Sequence, residues 1–156
     1  MKTILILVGK TTEKLFAAGI DDYIGRINHY MPMAVVTIPE LKSTKSLTQD
    51  QQKEMEGRLI LGQLQPSDTV VLLDEHGKEP RSVELARWLE QKRQTARRLV
   101  FVIGGPYGFS QQVYSRANEQ LSLSRLTFSH QMVRLIFAEQ LYRACTIIQG
   151  EPYHHE

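Results

Sequence analysis

Cysteine is nearly absent from this sequence: Cys145 is the single one among 156 residues. One thiol closes no internal disulfide, so the chain must fold without cross-links. That suits a reducing compartment and leads us to expect a cytoplasmic protein. Long apolar runs are missing as well. None approaches the ~20 residues that a membrane span requires. The short run in MKTILILVGK has no small-residue cleavage site after it. We therefore expect a first buried strand there and no membrane partner. Neither sign of charge is in excess. The formal net charge is +2, so attraction to nucleic acid must come from local patches. No G-x-G-x-x-G is present, which excludes a standard dinucleotide fold, and no G-x-S-x-G, which excludes a nucleophile elbow. Gly9-Lys10-Thr11-Thr12 has the tail of a phosphate loop. The glycine that should precede it is Ile4, so the loop is too short to wrap phosphates. The histidines at 29, 76, 130, 154 and 155 show no metal-ligand spacing. Adjacent residues at the chain end make a poor preformed site, and we expect no metal.

What the chain does have is alternation. Short apolar runs at Thr3–Val8, Ala34–Ile38, Thr69–Leu73 and Leu99–Ile103 read as strands buried on both faces. Leu121 to Phe128 alternates apolar and polar residues and reads as a fifth strand at or near the sheet edge. Between them lie helical patterns over Thr12–Asn28, Thr48–Gly62, Val83–Lys92 and Gln111–Ala117. Thr48 with Gln51 forms a capping-box signal, and Ser82 and Ser110 are expected helix N-caps. Met55, Leu59 and Ile60 are expected on the inner side of the second helix. Leu41–Leu47 and Glu75–Pro80 read as loops. Arg93, Arg97 and Arg98 cluster before the fourth strand, either steering RNA or ending a helix in solvent. A last helix from Gln131 to Ile148 is apolar nearly all round and must be buried, which makes a subunit interface its natural cover. Cys145 falls inside it and is expected to be an inert thiol. The order β-α-β-α-β-α-β-α-β-α predicts a single α/β domain over residues 1–156, with a mostly parallel sheet and helices on both faces.

Three segments would share one rim of that sheet: Leu73-Asp74, Gly104-Gly105-Pro106 and Leu123 to Phe128. Ligands of open α/β sheets bind beyond the carboxyl ends of strands. Gly104 and Gly105 carry no side chain, so a flat or charged ligand can approach the backbone there; the other reading of these glycines is a tight turn between strand and helix. Such a rim suits an adenine-bearing cofactor held largely by main chain.

The blocks VIGGPYGFS, LSLSRLTFSHQMVRLIFAEQLYRA and the closing GEPYHHE resemble the RlmH-type large-subunit rRNA pseudouridine methyltransferases, of the SPOUT class. The similarity runs over essentially the whole chain, from ILILVGK to PYHHE. It implies a C-terminal part tied in a deep trefoil knot, a homodimer, and methyl transfer from S-adenosylmethionine to N3 of a pseudouridine in 23S rRNA within the assembled ribosome. It implies that Leu73, Gly104, Leu123, Ser124, Arg125, Leu126, Thr127 and Phe128 line the cofactor pocket. It implies that His130, Arg143, Tyr153 and His154 face the target base. The N3 proton then goes to a histidine, His154 before His130, with a helix cap or core contact as the structural alternative for His130. Arg143 stabilises charge on a base carbonyl, with pairing to Glu139 as its structural alternative. Tyr153 stacks or anchors the tail. Family tails often read Tyr-His-Arg or Tyr-His-Lys, whereas His155-Glu156 stands here, a weaker hold on phosphate at pH 7. Two other readings fit the same residues: a non-enzymatic RNA-binding module, and a SPOUT enzyme that acts on tRNA.

Overall fold

The computed structural model describes residues 1–156. Its five strands are β1 (Lys2–Val8), β2 (Met33–Ile38), β3 (Thr69–Lys78), β4 (Arg98–Ile103) and β5 (Glu119–Leu121). Its helices are α1 (Lys14–Ile27), α2 (Gln49–Gly62), α3 (Ser82–Thr95), α4 (Gln111–Arg116) and α5 (Met132–Ile148). The strands form one sheet in the order β2-β1-β4-β3-β5, and every pairing is parallel. Successive side chains of a strand point to opposite faces, and the core divides accordingly. Ile4, Ile6 and Val8 of β1, with Val100 and Val102 of β4, meet Ile60 of α2 and Val113 of α4. Leu5 and Leu7, with Leu99, Phe101 and Ile103, meet α1, α3 and α5. The rings of Phe101 and Phe137 lie 4.8 Å apart at the centre of this second layer. Each such side chain contributes roughly 1.5–3 kcal/mol when fully buried.

Several helix ends follow their expected chemistry. Thr48 Oγ1 accepts from the Gln51 N–H at 3.1 Å, and Gln51 Oε1 accepts from the Thr48 N–H at 2.9 Å. Ser110 Oγ accepts from the Val113 N–H. α3 departs from expectation: its N-cap is Arg81, not Ser82. Glu84 reaches back to accept from the Arg81 N–H at 2.8 Å, so the orphan donor is satisfied one residue earlier.

Four further expectations are corrected. Glu75–Lys78 is strand rather than loop, because β3 continues past an irregularity in its pairing with β5. Gly77 permits this: a Cβ there would sit 2.6 Å from the Gln120 and Leu121 backbone. Leu121–Phe128 is not a strand. β5 stops at Leu121, and the serines that follow turn on their own backbone. Ser122 Oγ donates to the Ser124 carbonyl at 3.0 Å, and Ser124 Oγ accepts from the Leu126 N–H at 3.0 Å. The inner face of α2 is Glu56, Gly57 and Ile60, while Met55 and Leu59 are exposed. Bare Gly57 lets α2 close on Ser110 and Val113 of α4, which fixes that rotation. Within Leu41–Leu47 a single 3₁₀ turn spans Thr44–Ser46. Arg98 forms a two-pronged pair with buried Asp68, at 2.8 and 2.7 Å, so it is committed to the fold.

α5 packs between α1 and α3, and none of its residues is exposed. Its first turn holds an arginine that sequence patterning passed over. Arg134 is fully buried. It donates to the carbonyls of Val8 (2.7 Å), Gly9 (2.9 Å) and His130 (3.1 Å) and to Thr11 Oγ1 (2.9 Å). Burial draws its basicity down and the charge of Glu40 opposes that. The four acceptors supply the hydrogen bonding that a desolvated guanidinium requires. The last helix is thereby fastened to the carboxyl end of the first strand. Cys145 is buried in the same helix, and burial pushes its thiol up to about 11.

Candidate active site

The carboxyl ends of β4 and β5 and the stretch Leu73–His76 within β3 open onto one cavity of about 640 Å³. β3 contributes Leu73 to His76, the glycine loop Ile103 to Phe109, and the segment after β5 Ser122 to His130. The glycine loop is a tight turn. Gly105 and Gly108 bridge each other, the Gly108 N–H donates to the Gly105 carbonyl at 3.2 Å, and Gly108 has φ +83°. That φ favours glycine on steric grounds. Behind the loop the space is full. A Cβ on Gly104 would meet the Phe109 ring at 2.9 Å, and one on Gly105 would meet Glu56 Oε1 at 2.8 Å. Burial pushes the Glu56 carboxyl up, against the pull of the Gln52 amide. Ile103, Leu121 and Val133 give the cavity an apolar floor.

Of the residues expected at a cofactor pocket, Leu73, Gly104, Leu123, Ser124, Leu126, Thr127 and Phe128 all line this cavity. Arg125 does not: it is 94% exposed and reaches Glu79 at 3.3 Å. His130 lines the cavity too, and no hydrogen bond engages its ring. Asp74 and Tyr114 form a contact that no spacing in the chain announces. The Tyr114 hydroxyl donates a short hydrogen bond to Asp74 Oδ2. Asp74 Oδ1 accepts from the His76 N–H at 2.9 Å and lies 3.1 Å from His76 Nδ1. Burial, with the bond to Asp74, raises the Tyr114 phenol well above its ordinary value. Tyr114 sits on the short helix α4, whose pattern signals packing only.

Arg143, Tyr153 and His154 are brought together, but elsewhere. After Gly150 the tail folds back over α5. Tyr30 donates to Glu151 Oε2 at 2.7 Å, and Arg81 reaches Glu156 at 2.7 Å. The bond to Glu151 raises the Tyr30 phenol to about 12. Arg143 pairs with Glu139 at 2.6 Å, as the four-residue spacing predicted. Tyr153 donates to the same Glu139 oxygen at 2.9 Å. Its ring lies 4.8 Å beneath the Arg143 guanidinium and 4.8 Å from the Tyr142 ring. Burial and hydrogen bonding to Tyr23 and Glu139 raise the Tyr153 phenol. Arg143 Nη1 lies 3.1 Å from His154 Nδ1. A guanidinium only donates, so Nδ1 accepts and the ring proton sits on Nε2. That Nε2 is buried and has no hydrogen-bond partner. None of these three residues lines the cavity of its own chain.

No helix is long and apolar enough to cross a membrane. Comparison with known proteins agrees with the reading from the residues. A family model described as predicted SPOUT methyltransferase matches residues 1–154. The chain is similar to the ribosomal RNA large subunit methyltransferase H of Bacteroides fragilis, at 62% identity over the full length of both chains. The protein of the same name from Bacteroides thetaiotaomicron is 60% identical, again over the full length of both. That of Christiangramia forsetii is 53% identical over 97% of each. A parallel α/β sheet with a glycine-loop cavity at its rim, together with the match of this family model over residues 1–154, places the chain in the SPOUT methyltransferase family.

Proposed function

We propose that this chain methylates ring N3 of a pseudouridine in 23S rRNA of the large ribosomal subunit, in the cytoplasm, with S-adenosylmethionine as donor. The names of its relatives supply the substrate class. The observation that carries the donor assignment is convergence: seven of the eight residues expected at a cofactor pocket line a single cavity. The residues fit such a group. The volume of about 640 Å³ lies in the range of small-molecule sites. The apolar floor of Ile103, Leu121 and Val133 suits a flat base. When bound, the sulfonium supplies an electrophilic methyl carbon.

The protein's own work is alignment and proton handling. The imide N3 must lose its proton to attack. His130 stands at the cavity with an unengaged imidazole and is placed to accept it. His154 has Nδ1 held by Arg143 and becomes a base only when that bond parts. The proposed order is therefore His130 before His154, the reverse of the expectation from sequence. As arranged, Arg143 is a donor suited to the charge that develops on a base carbonyl, and His154 Nδ1 holds its guanidinium in place. Tyr153 anchors the tail through Glu139.

A homodimer belongs to this reading. The tail cluster and the cavity lie apart within one chain, so a second copy completes each site. Leu15 and Leu126, 79% and 75% exposed, are apolar surface available to it. The deep trefoil knot belongs to it too. The segment 122–131 leaves the edge strand β5, passes β3 and β4, and delivers α5 under the end of β1. Nucleoside mass spectrometry of a deletion strain tests the function. The methylated pseudouridine should vanish from large-subunit rRNA alone. Loss from tRNA instead, or no loss at all, overturns the proposal.

A further inference from the structure

The walls of the cavity carry charge of one sign. Among the lining residues the carboxylates are Asp74 and Glu75, and no lysine or arginine joins them. The two carboxylates differ in setting. Glu75 is 70% exposed, so water screens it. Asp74 is only 8% exposed. Both of its oxygens are held from within the protein, by the Tyr114 hydroxyl on one side and the His76 N–H on the other. Desolvated and fixed in direction, this carboxylate acts on the cavity with far more force than a surface charge does.

We infer that Asp74, fixed by Tyr114, is the residue that makes the cavity prefer a sulfonium cofactor over its neutral thioether product. This rests on the donor assignment above. The two ligands share the adenosine and amino-acid parts. They differ by one methyl group and one positive charge at sulfur. The apolar floor and glycine backbone see the shared parts alike. Only a fixed charge separates the two strongly. At an effective dielectric near 20 to 40, a unit positive charge placed about 8 Å from a buried carboxylate is favoured on the order of tenfold. The physical gain is release of product: after transfer the ligand loses its positive charge and with it this attraction. Asp74 is thus a specificity-determining residue, and Tyr114 a positioning residue that acts through it.

Calorimetry on the intact protein at pH 8 tests this. The probes are S-adenosylmethionine, S-adenosylhomocysteine and sinefungin, whose amine places a positive charge where the sulfonium lies. The wild-type protein should bind the two cations about tenfold more tightly than the thioether, and the ratio should survive a change from 50 to 500 mM salt. Asp74→Asn should bring the ratio close to one while thioether affinity changes less than twofold. Tyr114→Phe, which removes only the hydroxyl, should lower the ratio at least threefold with thioether affinity kept. It carries the test if Asp74→Asn does not fold. Equal weakening of all three ligands would place Asp74 against a shared part and overturn the inference. An unchanged ratio would do the same. Failure of the wild-type protein to bind any of the three would instead sink the donor assignment itself.

Discussion

At the residue scale, charged groups taken out of water define what this fold tolerates. Asp68 shows the balance. Burial alone pushes its carboxyl up, but hydrogen bonds from Arg98 and the Gln65 N–H, with the nearby Arg98 and Arg116 charges, outweigh it and hold the group below its ordinary value. A depressed carboxyl contributes stability that is present above the unfolded value, near pH 4, and is lost as pH falls through the folded one. Asp68→Asn should therefore cost about 2–3 kcal/mol at neutral pH, since it leaves Arg98 without its counter-charge. Below about pH 3 the difference from wild type should shrink. Urea unfolding at pH 7 and pH 3 measures both. A difference that stays constant between the two would show that the pair does not titrate as described.

At the scale of elements, the tail is the piece whose removal separates binding from chemistry. Tyr153 and His154 touch α5 and not the cavity, so Tyr153→Ala with His154→Ala should abolish methylation and leave donor affinity within about twofold. Methylation and calorimetry on one preparation decide it, and full activity would remove the tail from the mechanism. The elements themselves were largely legible in the residues. Unbroken apolar runs such as Leu99–Ile103 announce strands covered on both faces, and the Thr48 and Ser110 caps mark where α2 and α4 begin. What escaped depends on partners far along the chain. Gly77 keeps β3 going only because the backbone of Gln120 lies against it. Ser122 and Ser124 end β5 by turning inward, although their alternation with leucines imitates a strand. The cavity's apolar and glycine walls were visible as strand ends. Its carboxylate clamp was not, because no local pattern links Tyr114 to a residue forty positions earlier.

For the whole molecule, the separation of tail and cavity within one chain has a direct test. A subunit disabled at the cavity by Gly104→Val, where a side chain would strike Phe109, should be inactive alone. So should one with both tail substitutions. Mixed and reassociated, they should regain up to about a quarter of wild-type activity. That fraction counts the sites formed when random pairing joins an intact cavity to an intact tail. No recovery would mean that each chain completes its own site. The clamp of Arg134 on the end of β1 bears on how the molecule is made. β1 is synthesised first yet lies inside the sheet, and its neighbour β4 begins only at Arg98. At ordinary elongation speeds the ribosome needs on the order of 5–20 s to reach that point, and the arginine arrives later still. During that interval the β1 segment from Thr3 to Val8 is sticky and lacks its β4 neighbour, so the growing polypeptide should depend on chaperones until α5 has emerged.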